Sequence, residues 1–166
     1  MDEPAMRAGS SCFGVAMNLH KTILLLLLSL LPAGCRSGTI RPETLPSQLQ
    51  VYGVQLYSDR DYKEISGVAA TEEPCLRGYE RSFDRLQITI GYDFDRNIRK
   101  IATRHPATSL FGISPGMKFT AAGQRILNAG FTPYIPPLAF RNGPYLLTVQ
   151  VDGGDAIAGV TLETLD

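Results

Sequence analysis

The chain has 166 residues, enough for one domain and some extra length, and its 16 Lys+Arg balance its 16 Asp+Glu. That neutrality excludes the basic excess of a nucleic-acid binder, and 44% hydrophobic against 19% charged residues excludes a disordered chain. Three Cys exclude a disulfide-stapled scaffold, which uses a larger and even set.

Residues 1–16 put Asp2 and Glu3 where an export signal carries positive charge. Met17 is the better start, because His20 and Lys21 stand directly before an apolar run from Ile23 to Leu31 broken only by Ser29. Residues 1–16 are therefore read as a start placed too early, and Cys12 within them is given no role. Small residues Ala33 and Gly34 then precede Cys35. A charged head, an apolar middle and a small-residue end form the layout of a secretory signal over 17–34. The apolar run is about half of the roughly 20 residues that cross a bilayer, so a permanent transmembrane helix is not expected.

The small-small-Cys ending resembles the bacterial lipoprotein signal, in which the Cys is acylated and becomes the mature N-terminus. The resemblance implies lipidation at Cys35, signal processing at Ala33 and Gly34, and an extracytoplasmic protein held to a membrane by its lipid anchor. Pro32 stands where the pattern usually has an aliphatic residue, with Leu30 and Leu31 just upstream. A plain secretory signal with an incidental Cys is the alternative. Residues 35–48 are rich in Gly, Pro, Ser and Thr and read as a tether without a core of its own.

The folded part, from residue 49 onward, divides into two similar stretches, 49–106 and 107–166. In the first, Leu86, Ile88, Ile90, Tyr92 and Phe94 alternate with polar partners, which predicts a half-buried antiparallel strand. A turn at Asp95-Arg96-Asn97 and a return strand over 98–104 follow. In the second, Tyr145, Leu147, Val149 and Val151 alternate the same way. A turn at 152–155 follows, and Ala158, Val160 and Leu162 line the return strand. A helix is predicted ahead of each hairpin. The first covers 58–66, with Tyr62 and Ile65 inward and Gly67 as its end. The second has Phe119, Ala122, Gly123 and Ile126 at helical spacing and Gly130 as a C-terminal cap. Short stretches Gly53-Val54-Gln55 and Gly112-Ile113-Ser114 precede the two helices. The expected fold class is thus α+β, with two pseudo-repeated units of a short helix packed on an antiparallel β-meander. The spacing between matching landmarks varies by a few residues. A tandem repeat with small insertions and a single α+β domain with chance recurrences both fit.

The turn Gly112-Ile113-Ser114-Pro115-Gly116-Met117, leading to a short helix that ends at Gly130-Phe131, resembles small extracytoplasmic lipoproteins of the SmpA/OmlA type. Doubling that unit resembles the β-lactamase-inhibitor-protein architecture. Both resemblances imply a non-enzymatic binding or assembly module, and neither carries over a functional residue.

The inventory of chemistry is thin. No HExxH, GxSxG, Walker A or GxGxxG pattern occurs, and no cofactor is expected. Past the signal, His105 is the only His and reads as a solvated loop residue, while Cys75 reads as a small buried hydrophobe. Asp93-Phe94-Asp95-Arg96-Asn97 imitates half of a calcium loop, but Ile98 and Arg104 stand where Gly and Glu are required, so no metal site is expected. Arg77, Arg81 and Arg85 alternate with acidic residues and read as a solvated strand edge rather than an anion-reading helix face.

These readings lead to a lipid-anchored, non-catalytic binding module with a protein or other cell-envelope partner and no nucleic acid. Alternatives are an exported enzyme using Cys75 or His105 and a structural envelope lipoprotein. The expected binding surface is the outward sheet face, with Thr89, Thr148 and Gln150, together with the proline-stiffened loop 132–137 and its anchor Tyr134.

Overall fold

The computed structural model describes residues 45–165; the signal, Ala33, Gly34, Cys35 and most of the tether lie outside the described residues. A single turn of helix, α1 (Leu45–Gln48), leads into two short hairpins, β1 (Gln50–Val51) with β2 (Val54–Gln55) and β3 (Glu64–Ile65) with β4 (Val68–Ala69). A four-stranded meander follows: β5 (Thr71–Cys75), β6 (Gly78–Phe83), β7 (Ile88–Asp93) and β8 (Ile98–Thr103). Helix α2 (Phe119–Asn128) comes next. A second meander ends the chain: β9 (Thr132–Ile135), β10 (Ala139–Asn142), β11 (Tyr145–Val151) and β12 (Ile157–Thr164). The last strands of the two meanders pair antiparallel, Val160 opposite Thr103 and Leu162 opposite Ile101. The result is one eight-stranded antiparallel sheet in the order β5-β6-β7-β8-β12-β11-β10-β9.

The expectation of an α+β fold in two helix-on-meander units is therefore corrected: the described residues are mostly β, with one helix longer than a turn and both meanders joined in one eight-stranded antiparallel sheet. The helix expected over 58–66 does not form. Its inward residues Tyr62 and Ile65 are buried, but a loop and the β3–β4 hairpin bury them. Three-residue spacing fits a helical turn and equally a loop that enters a strand. Ser66 and Gly67 decide between them, both at positive φ (51° and 76°) as a type I′ hairpin turn requires. The same device occurs at Tyr52-Gly53 and Phe111-Gly112, each flanked by a buried apolar pair, Val51 with Val54 and Leu110 with Ile113. The two stretches noted ahead of the expected helices are thus hairpin turns.

The second helix forms as expected. Ala122 and Ile126 are its buried stripe, four residues apart. Gly130, at φ 83°, ends it in a Schellman arrangement: Gly130 N donates to Leu127 O (2.9 Å) and Phe131 N to Ile126 O (3.2 Å). Phe131 and Ile126 are both buried, which adds the apolar contact that accompanies this cap.

One face of the sheet is the core. Phe83, Ile88, Ile90, Tyr92 and Ile101 in the first meander, and Leu147, Val149, Val160 and Leu162 in the second, are all 2% exposed or less. Residues 49–70 cover the first half of this face and the segment 110–131 belongs to the same apolar cluster. Three positions of the expected alternation differ, each for a local reason. Phe94 is 78% exposed, because β7 ends at Asp93 and Phe94 lies in the turn. Leu86 sits in a 3₁₀ turn over 84–86 and is half-buried. Ala158 is exposed, because a bulge pairs Gln150 with Gly159 and Val151 with Ile157, leaving Ala158 as the extra residue.

Thr164 carries a small defect: its Oγ1 is buried without a hydrogen-bond partner. Thr164→Val removes that unmet hydroxyl at nearly constant volume on a strand that favours β-branched residues. Chemical denaturation should show a gain of about 1 kcal/mol with an unchanged m-value.

Candidate functional site

The face opposite the core is uncovered. Along each strand the residues between the core positions point here, and in the middle of the sheet they line a cleft of about 700 Å³. Its walls are Glu80 and Ser82 on β6, Thr89 on β7, Lys100 and Ala102 on β8, Gln150 on β11 and Thr161 on β12, with Arg104 just past β8. Its floor is low because small residues occupy it. A Cβ on Gly159 would stand 3.1 Å from Gln150 Oε1 and 3.2 Å from Arg104 Cγ. Gly159 thus leaves room for the Gln150 and Arg104 side chains to lie across the sheet.

The polar groups of the cleft are paired with one another. Lys100 Nζ donates to Glu80 Oε1 at 2.8 Å, Ser82 Oγ and Thr89 Oγ1 are 3.2 Å apart, and Arg104 Nη2 donates to Gln150 Oε1 at 3.2 Å. The cleft presents hydroxyls, an amide and both charge signs on one face. Such a surface binds by polar complementarity.

The expected contact residues divide. Thr89 and Gln150 are both in the cleft wall. Thr148 lies on the same face, opposite Thr161 on β12, but outside the cleft. Tyr134 is 49% exposed on β9, the edge strand at the far side of the sheet, under the Arg141 guanidinium at 5.8 Å. The stretch 132–137 is thus mostly edge strand rather than loop. Glu80, Lys100, Arg104 and Thr161 were not expected as contact residues; alternation along β12, with Val160 and Leu162 inward, carried the signal for Thr161 alone.

Cys75 and His105 do not meet. Cys75 is exposed, not buried, at the end of edge strand β5 opposite Gly78, and Gly78 pairs with Asp93 at the β7–β8 turn. His105 follows the other end of β8, where its Nδ1 accepts from Ala107 N at 3.2 Å. A six-residue strand spans about 20 Å, so the thiol and imidazole cannot form a nucleophile–base pair.

The arginine series is not a solvated edge throughout. Arg77 and Arg85 are exposed, but Arg81 is 5% exposed on the core side of β6. Its Nε donates to Glu72 Oε2 (2.8 Å), its Nη2 reaches the same oxygen (2.7 Å), and its Nη1 donates to Asp61 and to the Tyr62 carbonyl (3.1 Å). The guanidinium lies against the stacked pair Tyr79 and Tyr92, 5.1 and 5.3 Å from their centroids. Burial pulls its pKa down, but the two carboxylates more than reverse this and hold it above the ordinary value. Burial raises the pKa of both tyrosines. This cluster locks the loop 58–63 onto the sheet.

In the aspartate-rich turn, Asp93 serves the fold. Its Oδ1 accepts from Asn97 N (2.7 Å) and its Oδ2 from Arg99 Nε (2.8 Å). Burial works against ionisation, but these bonds outweigh it and place the carboxyl below its ordinary range. A lowered folded-state pKa gives stability that is complete above the unfolded value, about 3.9, and is lost as pH falls through the folded value. Asp93→Asn should therefore cost about 1 kcal/mol near neutrality and flatten the stability profile below about pH 4. A pH series of thermal melts checks this. Among the described residues, no group of three or more His, Cys, Asp and Glu could hold a metal ion.

Fold and cleft together define a mostly-β domain with one face of its single large sheet left open. Comparison with family models, with curated proteins and with solved structures found no match to this chain.

Proposed function

We propose that the protein is a lipid-anchored, extracytoplasmic binding module whose contact surface is the open sheet face. The observation that carries the reading is the cleft across β6, β7, β8, β12 and β11, with Gly159 and Ala102 keeping its floor low and paired polar side chains on its walls. The separation of Cys75 from His105 supports binding over Cys–His catalysis, and the small-small-Cys series ending at Cys35 supports the anchor. The partner is a protein or another component of the cell envelope.

The test is capture from intact envelopes, scored beside thermal stability. Thr161→Arg fills the cleft, and Gln150→Ala removes an acceptor from its wall. Both should keep the melting temperature within a few degrees and reduce capture at least about tenfold, the loss of one or two good polar contacts. The double variant Cys75→Ala/His105→Ala should leave capture unchanged. Cys35→Ser should release the protein from membranes without changing its fold. If capture falls only where stability falls, the cleft is not the contact surface.

A further inference from the structure

The two most exposed large hydrophobic side chains of the described residues are Leu76 (99%) and Phe94 (78%). Each sits at the tip of a hairpin, Leu76 between β5 and β6 and Phe94 between β7 and β8. The tips are neighbours, because Gly78 and Asp93, the strand residues next to them, are paired. Exposed Arg77 follows Leu76 directly; Phe94 stands between Asp93, which is paired with Arg99 at 2.8 Å, and Asp95, with exposed Arg96 one residue further on. Single exposed apolar residues are ordinary; two on adjoining tips form an apolar wedge whose rim, Arg77, Arg96 and Arg99 against Asp93 and Asp95, is net positive.

The chain arrives at the same end of the sheet. Tyr57 N donates to Ile98 O (2.8 Å) and Ile98 N to Ser58 O (2.8 Å), at the start of β8 beside the Phe94 turn. Leu49 O accepts from Leu56 N (3.3 Å), which brings the first described residues there too. Tyr57 is 42% exposed at this end, an amphipathic ring of the kind enriched at membrane–water interfaces. Cys35 stands 45 − 35 = 10 residues before Leu45, and ten residues span at most about 36 Å. An acyl anchor at Cys35 therefore keeps the domain within about 36 Å of the bilayer, a reach that allows this end to meet it.

We propose that the paired tips, Leu76 with Arg77 and Phe94 with Arg96, dock onto an anionic lipid surface. Leu76 and Phe94 enter the interface and the arginines meet the headgroups. The proposal rests on the lipid-anchored reading for the nearness of the bilayer. It fixes the orientation of the domain, because Arg104 and the 84–87 turn, which border the cleft, lie at the opposite ends of their strands. The Arg104 end of the cleft thus lies away from the membrane, and the open sheet face stays accessible to its partner.

The chain contains no Trp, so a single introduced Trp is a clean reporter. Full-length protein carrying Leu76→Trp, Phe94→Trp or the control Ala107→Trp, in the exposed loop after β8, is mixed with vesicles of phosphatidylcholine and phosphatidylglycerol. Brominated acyl chains serve as the quencher. Blue-shifted, quenched emission at positions 76 and 94, with neither change at 107, is the expected result. Arg77→Glu/Arg96→Glu should weaken the quenching, as should vesicles of phosphatidylcholine alone. Vesicle-bound protein with unquenched emission at 76 and 94 overturns the tip proposal while leaving the anchor intact. Quenching at both tips with Cys35→Ser as well sustains the tips independently of the anchor. Loss of both vesicle binding and quenching defeats both, and equal quenching at all three positions overturns the stated orientation.

Discussion

Ile90→Asp should unfold the domain, whereas Thr89→Asp, one residue away, should leave it folded. Ile90 is fully buried on β7, between Arg81 of β6 and Ile101 of β8. A carboxylate there has neither solvent nor a cation free to meet it, because the Arg81 guanidinium already serves Asp61 and Glu72. An unpaired buried charge costs several kcal/mol, against a total stability of roughly 5–15 kcal/mol for a domain of this size. Val149→Asp on β11, also fully buried, should behave in the same way. Thr89 points into the open cleft, where a charge stays hydrated. Circular dichroism melts of the three variants check the contrast. Equal stability of the two neighbouring variants on β7 would contradict the assignment of the sheet faces.

The second large effect is expected at Arg81. Arg81→Met keeps much of the aliphatic stem and removes the fork that ties Asp61, Tyr62 and Glu72 to the sheet. Asp61 and Glu72 are 38% and 54% exposed and rehydrate, so neither is left as a buried charge. The loss is the charge-assisted hydrogen bonds and the contact with the Tyr79–Tyr92 stack, together about 2–4 kcal/mol. Arg81→Lys should recover little, because one ammonium cannot span two carboxylates and a carbonyl. Hydrogen exchange separates this from a general weakening. Protection should collapse first in 58–70 and persist in β11 and β12, and uniform loss across the sheet would contradict the lock.

Legibility in the sequence followed the range of the interaction. Alternation is local, so Ile88, Ile90, Leu147, Val149 and Leu162 were readable as one face and Thr89 and Gln150 as the other. The helix over 119–128 was readable because its stripe and its glycine cap agree. The helix over 58–66 misled because Tyr62 and Ile65 satisfy two geometries, and the Ser66-Gly67 turn carried the deciding signal. Arg81 was misread because its burial depends on Asp61, 20 residues away, a tertiary pairing that no local pattern records. The cleft was half legible: its outward positions on β7, β11 and β12 were visible strand by strand. The pairing of β8 with β12, which brings Lys100 and Arg104 beside Thr161 and Gln150, exists only in the assembled sheet.

The most direct measurement of the central claim, that the open sheet face carries the function, is site-specific photocrosslinking in intact cells. A photoreactive residue is placed at Thr161 or Gln150 in the cleft, at Tyr134 on edge strand β9, and at Ser47 near the tether. The account predicts one discrete adduct from positions 161 and 150, absent from 134 and 47. That adduct should be lost when Thr161→Arg is combined with the probe at 150. Adducts confined to position 134 or 47, or an adduct at 150 that survives Thr161→Arg, would contradict it.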